Sequence, residues 1–322
     1  MELTNTAVIQ TKGLSKNYDG VSVLNDLNLN VPQHSIFGFL GPNGAGKTTT
    51  MKLLLGLIKP SSGQGTVFGH DIVHDSLAIR ARIGYMPQQP HFYPTMTARE
   101  TVRFTARFFF KGPPAKIEAR VNEVLNLVGL ADKADRPVKG FSGGERQRLG
   151  LAQAQVNYPD LLILDEPAAA LDPIGRHDVL VVMEKLRKYA TVFYSTHILD
   201  DVQQVSDTVA ILNEGKLISQ GPIEQLLNGE GKTIYTVALQ GDLAAVRTRV
   251  EQEPWIEQIT LQGQNGHTIW QVAVKDEAVA EAKLLRQLLA DEQTTVTAFG
   301  RKKVELEEAF MTLVKGANDE QQ

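Results

Sequence analysis

Leu27, Leu29 and Val31 alternate with polar residues, as they would on a strand with one buried face. The same texture runs back along the chain, so residues 7 to 31 read as β structure, with Tyr18-Asp19-Gly20 as a turn. Ile36 to Leu40 is a short apolar run bounded by turn signals, which predicts a buried strand. The spacing then changes. Met51, Leu54, Leu57 and Ile58 recur at helical intervals, predicting a helix over 49 to 57. Lys59-Pro-Ser-Ser-Gly63 breaks it. Strands are expected at Gly65 to Gly69 and at Arg82 to Met86, the second stopping at Pro87-Gln88-Gln89-Pro90.

Residues 97 to 155 read as mostly helical, within an insert spanning about 90–156. Thr97 and Glu100 form a capping box that opens a helix to about Phe110. Val102, Thr105, Ala106 and Phe109 are expected on one face. Gly112-Pro113-Pro114 stops it, and Ile117, Val121, Val124, Leu125 and Val128 define a second amphipathic helix. A third helix covers Arg146 to Val156. The β pattern returns with the aliphatic run Leu161 to Leu164 and with Thr191 to Thr196, separated by a helix from Pro173 to about Lys188. Val209 to Leu212 and Lys216 to Ser219 flank a hairpin turn at Asn213-Glu214-Gly215. A short helix ends near Leu227.

Asn228 to Lys232 reads as a linker, dividing a domain at 1–228 from one at 229–322. The second part predicts strand 233–239, helix 242–252, strands 255–261 and 268–274, helix 276–290 and strand 294–299. That is the β-α-β-β-α-β order of a ferredoxin-like unit. Trp255 and Trp270 are expected in its core. A last helix would carry Leu306, Ala309, Phe310, Leu313 and Val314 on one face. Arg301-Lys302-Lys303 is too short for a lipid- or nucleic-acid-binding block and reads as a solvated turn.

The chemistry gathers at the ends of the predicted strands. Gly41-Pro42-Asn43-Gly44-Ala45-Gly46-Lys47-Thr48-Thr49 fits the phosphate-loop template, between a buried strand and a helix. Its glycines let backbone N–H groups approach phosphate oxygens at the positive end of a helix. Lys47 would reach the β- and γ-phosphates, and the Thr48 hydroxyl would meet Mg²⁺. Asp165 and Glu166 follow four aliphatic residues at a strand end. There Asp165 can hold Mg²⁺ through water and Glu166 can polarise an attacking water. Adjacent strand positions point to opposite sides, which would let the two acids do different jobs. His197 ends the following strand, where a γ-phosphate contact would be placed. Gln88 suits Mg²⁺ or the attacking water, or is a loop amide. Ser142-Gly143-Gly144 makes a second anion nest, or Ser142 simply caps a helix. Tyr18 is a stacking platform for a base, or packs on its own sheet.

Composition narrows the alternatives. A net charge of -4 argues against nucleic acid as the main partner. With no cysteine there is no disulfide framework and no thiolate zinc site. His70 and His74 are four apart without an acidic partner close by, and read as solvated loop residues. No stretch approaches the length of a membrane helix. Met1-Glu2-Leu3-Thr4-Asn5 lacks the basic start and apolar core of a signal peptide, so a cytoplasmic location is expected.

Taken together and in order, these motifs resemble the ATP-binding subunit of ABC transporters, over residues 7 to 228. Gly41 to Thr49 matches the Walker A loop and Gln88 the Q-loop. Ser142-Gly143-Gly144-Glu145 matches the ABC signature, and Leu161 to Glu166 matches Walker B with its catalytic acid. Asp172 matches the D-loop aspartate, His197 the switch histidine and Tyr18 the adenine-stacking aromatic. Leu306-Glu307-Glu308-Ala309-Phe310 looks like the tail of ATPases that pair with ABC-2-type export permeases. The chain departs from the pattern at three places. Glu145 stands where Gln is commoner and Phe141 where Leu is commoner. Ala168-Ala169-Ala170 replaces the usual Thr and Gly or Ser.

The resemblance implies an α/β fold: a P-loop NTPase with a RecA-like core, an antiparallel β subdomain and a helical insert, plus the small α+β ferredoxin-like domain. It implies two such subunits sandwiching two ATP molecules with Mg²⁺, most simply as a homodimer, on the cytoplasmic face of a membrane permease encoded separately. Tyr18, Gly41 to Thr49, Ser142 to Glu145 and Asp172 would bind nucleotide. Ser142 and Gly144 would serve the other chain's site. Thr48, Gln88 and Asp165 would organise metal. Glu166, His197, Lys47 and Gln88 would be catalytic. Export is the expected direction. The competing reading is a soluble ABC ATPase acting on ribosomes or DNA. Such proteins carry paired ATPase domains with a charged linker or a long coiled-coil insertion, and neither pattern is present here.

Overall fold

The structure, a computed structural model, describes residues 7–302 apart from 228–232, 242, 265–266 and 291–293. The described chain divides into two compact units, up to Ile223 and from Glu224. The expected helix at 306–314 lies outside the described residues.

The first unit opens with β1 (Ala7–Tyr18), β2 (Val21–Leu27) and β3 (Asn30–Pro32). β1 pairs antiparallel with both neighbours and with β5 (Ser62–Val67), which in turn pairs with β6 (His70–Asp71). Leu27, Leu29 and Val31 are all buried, as the alternation predicts. β4 (Ile36–Leu40) leads into α1 (Lys47–Leu54). This helix ends earlier than its apolar spacing suggests. Gly56 takes φ +62° and turns the chain away, leaving Leu57 exposed. A short helix not anticipated, α2 (Ser76–Ala81), precedes β7 (Ile83–Met86).

α3 (Ala98–Phe109) begins at the expected capping box, with Thr97 Oγ1 accepting from Glu100 N–H. Its buried residues are Ala98, Thr101, Val102 and Ala106. Phe109, expected on that face, is exposed. α4 (Pro114–Leu127) buries Val121, Val124 and Leu125 as predicted. A 3₁₀ turn at Ala131–Lys133 follows. α5 (Gly143–Gln155) starts three residues before its predicted first residue, because Ser142 and Glu145 form a second capping box.

α5 has no basic residue in its last turn. Arg120 of α4 supplies one. Its Nε donates to Val156 O at 3.0 Å, another of its nitrogens donates to Gln155 O, and a third pairs with Glu123 at 2.8 Å. The guanidinium also lies 3.5 Å from the centre of the Tyr158 ring. The C-terminal end of α5 is therefore clamped from outside the helix.

β8 (Leu161–Asp165), α6 (Pro173–Leu186), β9 (Thr191–Thr196), α7 (Leu199–Val205), β10 (Thr208–Asn213) and β11 (Lys216–Pro222) complete the unit. The main sheet has the order β11-β10-β4-β9-β8-β7, parallel except for β11. The β10–β11 turn has positive φ at both Glu214 and Gly215, as a tight hairpin requires. Alternate residues of the central strands feed two cores. Phe37, Phe39, Ile163 and Phe193 pack with α1 and the antiparallel strands. Leu162, Leu164, Val192 and Tyr194 pack with the helical insert. Burial on both faces explains why these strands read as continuous apolar runs.

After α8 (Ile223–Leu227), the second unit follows its predicted order. β12 (Thr233–Gly241), α9 (Ala244–Glu251), β13 (Ile256–Gln264), β14 (His267–Val274), α10 (Glu277–Leu288) and β15 (Thr294–Arg301) form one antiparallel sheet, β13-β14-β12-β15. Trp270 is fully buried, and Trp255 is buried just ahead of β13 rather than within it. Tyr235 and Phe299 stack across β12 and β15 with centroids 5.5 Å apart. Arg301 is exposed, as expected, but it ends β15 and pairs with Glu277 at 2.5 Å rather than standing in a turn; Lys303 lies outside the described residues.

Candidate functional site

β4, β8 and β9 are neighbours, so their C-terminal ends deliver three separate motifs to one place. Ligands of open α/β sheets bind at such strand ends. From β4 comes the loop 41–46. Gly46 caps α1 with φ +106°, a conformation that L side chains rarely adopt. A Cβ at Gly41 would stand 2.3 Å from Leu212 O, so only glycine fits there. Lys47 opens α1 and is buried. Its ammonium donates to Gly41 O at 2.6 Å and Pro42 O at 3.1 Å, and pairs with Glu166 Oε1 at 3.2 Å.

β8 ends at Asp165. Thr48 Oγ1 donates to Asp165 Oδ2 at 2.8 Å, joining the loop to this strand. Ser195 Oγ of β9 donates to Asp165 Oδ1 at 2.6 Å and accepts from Glu166 N–H at 2.9 Å. His197 Nδ1 lies 2.7 Å from Glu166 Oε2. Each carboxylate thus has two named partners, Thr48 and Ser195 for Asp165, Lys47 and His197 for Glu166. The separation does not come from strand alternation, as the sequence pattern suggests. β8 ends at Asp165, and Glu166 has φ +50°, a left-handed turn that redirects its side chain. Such a backbone costs about 1–3 kcal/mol in a residue other than glycine.

A cleft of about 340 Å³ is lined by Val23, residues of the loop and helix start between Asn43 and Thr49, Gln88 and Glu166. Gln88 is exposed, and its carbonyl accepts from Gln147 Nε2 at 3.5 Å. Tyr18 does not line this cleft. It is 42% exposed, with Lys16 Nζ 4.8 Å from its ring centre.

Ser142 to Glu145 and Asp172 do not line it either. They cap two adjacent helices. Ser142 caps α5, and Asp172 Oδ1 accepts from Gly175 N–H at 2.7 Å to cap α6. Arg148 of α5 reaches Asp178 of α6 at 3.8 Å. Behind His197, α7 is tied to α6 by the bond from Arg176 to the buried Asp201. Burial pushes the Asp201 carboxyl up, and Arg176 partly offsets this.

Ser195 belongs to this site, and no local motif in the sequence marks it. Ser195 matters because β9 lies in register beside β8, with Asp165 opposite Ser195. Elsewhere, His74 Nδ1 lies 3.0 Å from Asp71 Oδ1, so it does have an acidic partner. That pair is highly exposed at the histidine.

Strand-delivered acids beside a glycine loop and helix start define a phosphate-loop nucleotide-binding protein. The ABC transporter family model matches residues 24–169. An uncharacterized ABC transporter ATP-binding protein, YxlF of Bacillus subtilis, is 34% identical over 95% of this chain and 99% of its own length. The Nod factor export ATP-binding protein I of Ralstonia nicotianae is 34% identical over 81% of this chain and 80% of its own. Among solved structures, cbiO1 of Clostridium perfringens, part of the ABC transporter complex cbiONQ, superposes with a TM-score of 0.64 at 27% identity. It covers 77% of this chain and 96% of its own. The chain belongs to the ATP-binding subunits of ABC transporters. It is an ATP-binding, ATP-hydrolysing subunit of such a transporter.

Proposed function

We propose that the chain hydrolyses ATP with Mg²⁺ as half of a homodimer, docked on the cytoplasmic face of a membrane permease that exports its substrate. The observation carrying this is one bonded set, Lys47–Glu166–His197 and Thr48–Asp165–Ser195, around one cleft. The residues fit both groups. Loop N–H donors at the start of α1 and the Lys47 ammonium suit a triphosphate. Thr48, Asp165 and the exposed amide of Gln88 are hard oxygen donors that suit Mg²⁺. Bound Mg²⁺ supplies charge neutralisation at the phosphate oxygens. Glu166 accepts a proton from the attacking water, and His197 holds that carboxylate in orientation. Tyr18 stacks on the adenine. The reading is tested by chelation: EDTA stops ATP hydrolysis by the purified protein, and added Mg²⁺ restores it. A rate indifferent to EDTA would reject the metal assignment.

The separation of the motifs supports pairing with a second such subunit, most simply another copy of this chain. The chain holds one phosphate loop and one Ser142-Gly143-Gly144-Glu145 stretch, and the second does not line the cleft of the first. We assign it, with Asp172, to the nucleotide of a second copy. Export rests on the Nod factor export relative named above and on the resemblance of the tail.

A second cavity, of about 780 Å³, suits the permease. Its walls include Leu57, Leu77, Tyr85, Phe108 and Phe109 beside Gln153 of α5. Leu77 and Phe108 are more than 70% exposed, and exposed apolar patches of this kind mark protein contacts. No described helix is long and apolar enough to cross a membrane. Substituting both Leu77→Asp and Phe108→Asp is expected to lower the membrane-bound fraction at least about tenfold, from the apolar area lost. ATPase activity of the purified subunit stays near wild type. Flotation of membranes co-expressing the subunit and its permease measures the first, and phosphate release the second.

A further inference from the structure

Glu145 is an unexpected group to find where a phosphate is to be bound. Resting on the reading that Ser142, Gly143 and Gly144 receive a partner's nucleotide, we propose that Lys133 is a positioning residue for that half-site. It neutralises the Glu145 carboxylate, so that the nest keeps its attraction for phosphate.

Glu145 is only 7% exposed. Its Oε2 accepts from Ser142 N–H at 2.8 Å, and its Oε1 accepts from Lys133 Nζ at 2.7 Å. Its own N–H donates back to Ser142 Oγ at 3.3 Å. The carboxylate is therefore bonded directly to the residue that opens the nest. Burial opposes its charge, but the bonds from Lys133 and Ser142 N–H outweigh burial and hold the carboxyl below its ordinary range. The carboxylate is ionised at neutral pH.

A helix N-terminus attracts anions through its free N–H groups and its dipole. An ionised carboxylate in the first turn uses part of that field and repels a second anion. A glutamine amide there would make the capping bond without the charge. With glutamate, a cation must replace what the neutral side chain gives without help. Arg136 also faces Glu145, but its guanidinium donates to Gly140 O at 2.6 Å. Arg148, on the same helix, reaches toward Val128 and Gly129 carbonyls and Asp178. Lys133 is the cation bonded to the acid. It comes from the 3₁₀ turn after α4, outside the motifs that mark the nucleotide site.

The test is a four-variant cycle on the full chain, reading steady-state hydrolysis against ATP concentration. Lys133→Met is expected to raise KM for ATP about fivefold, the scale of one uncompensated charge at partly screened range, with a smaller change in kcat. Adding Glu145→Gln to Lys133→Met is expected to return KM to within about twofold of wild type. A purely structural role would lower the melting temperature of Lys133→Met and leave KM of the folded enzyme unchanged. An unchanged KM in Lys133→Met would overturn the proposal, as would a raised KM that Glu145→Gln fails to reverse. Lys133→Gln serves if the methionine variant does not fold, as judged by thermal melting. Wild-type protein that fails to hydrolyse ATP would count against the ATPase reading instead.

Discussion

Glu166→Gln is expected to lower ATP turnover by about 10²–10⁴-fold, the range for loss of a general base, while ATP still binds. The geometry explains both halves. The Glu166 carboxylate lies 2.7 Å from His197 Nδ1 and 3.2 Å from Lys47 Nζ, and it lines the cleft with the loop residues. An amide has the same shape and can keep the histidine contact. It cannot take a proton from water. It also releases the Lys47 ammonium from an ion pair and removes a negative charge beside the phosphates, so affinity for ATP holds or rises. Single-turnover hydrolysis measures the first effect, and equilibrium binding of a fluorescent ATP analogue the second. Undiminished turnover would overturn the role given to Glu166, and lost binding would show the residue to be structural.

Ser195→Ala is expected to damage the same chemistry from behind. The Ser195 hydroxyl is fully buried and bonds at once to Asp165 Oδ1 and to Glu166 N–H. Alanine leaves a buried carboxylate oxygen short of a donor and a buried N–H without an acceptor. Loss of a buried partner costs about 1–3 kcal/mol in stability. That should appear as a lower unfolding midpoint in denaturant with an unchanged slope. Turnover should fall about 10- to 100-fold, since displacements near 1 Å at a reacting centre carry costs of that order. The loss should appear mainly in kcat, because the loop residues that hold nucleotide are untouched. Normal turnover in a destabilised variant would restrict Ser195 to folding.

The contrast between these two residues shows what the sequence made legible. Glu166 stands in a local pattern, four aliphatics then two acids, that marks a buried strand and its end. The phosphate loop and the capping box at Thr97 are local in the same way, and so are the alternating strands. Ser195 has no local mark. Its partners are thirty residues away and meet it only because β8 and β9 are in register. Lys133 and Arg120 are likewise set by packing between helices. Where periodicity misled, the cause was equally physical. Helical spacing places Phe109 on the buried face of α3, yet that face runs through Ala98, Thr101, Val102 and Ala106 and leaves Phe109 in the exposed groove. α2, at six residues, was too short for a repeat to be seen.

The clamp that Arg120 places on the end of α5 has a mechanical meaning. The helix bears Ser142 at its start, and at its other end Gln153 and Ala154, which wall the apolar groove. Thirteen residues of α-helix make a rod about 20 Å long. With one end capped by its own glutamate and the other gripped by a buried guanidinium, it is held against fraying at both ends. Tilting it by about 10° about its midpoint carries each end about 1.7 Å, in opposite directions. On the proposed reading, in which Ser142 meets a partner's phosphate, a change in that angle would be felt both there and in the groove.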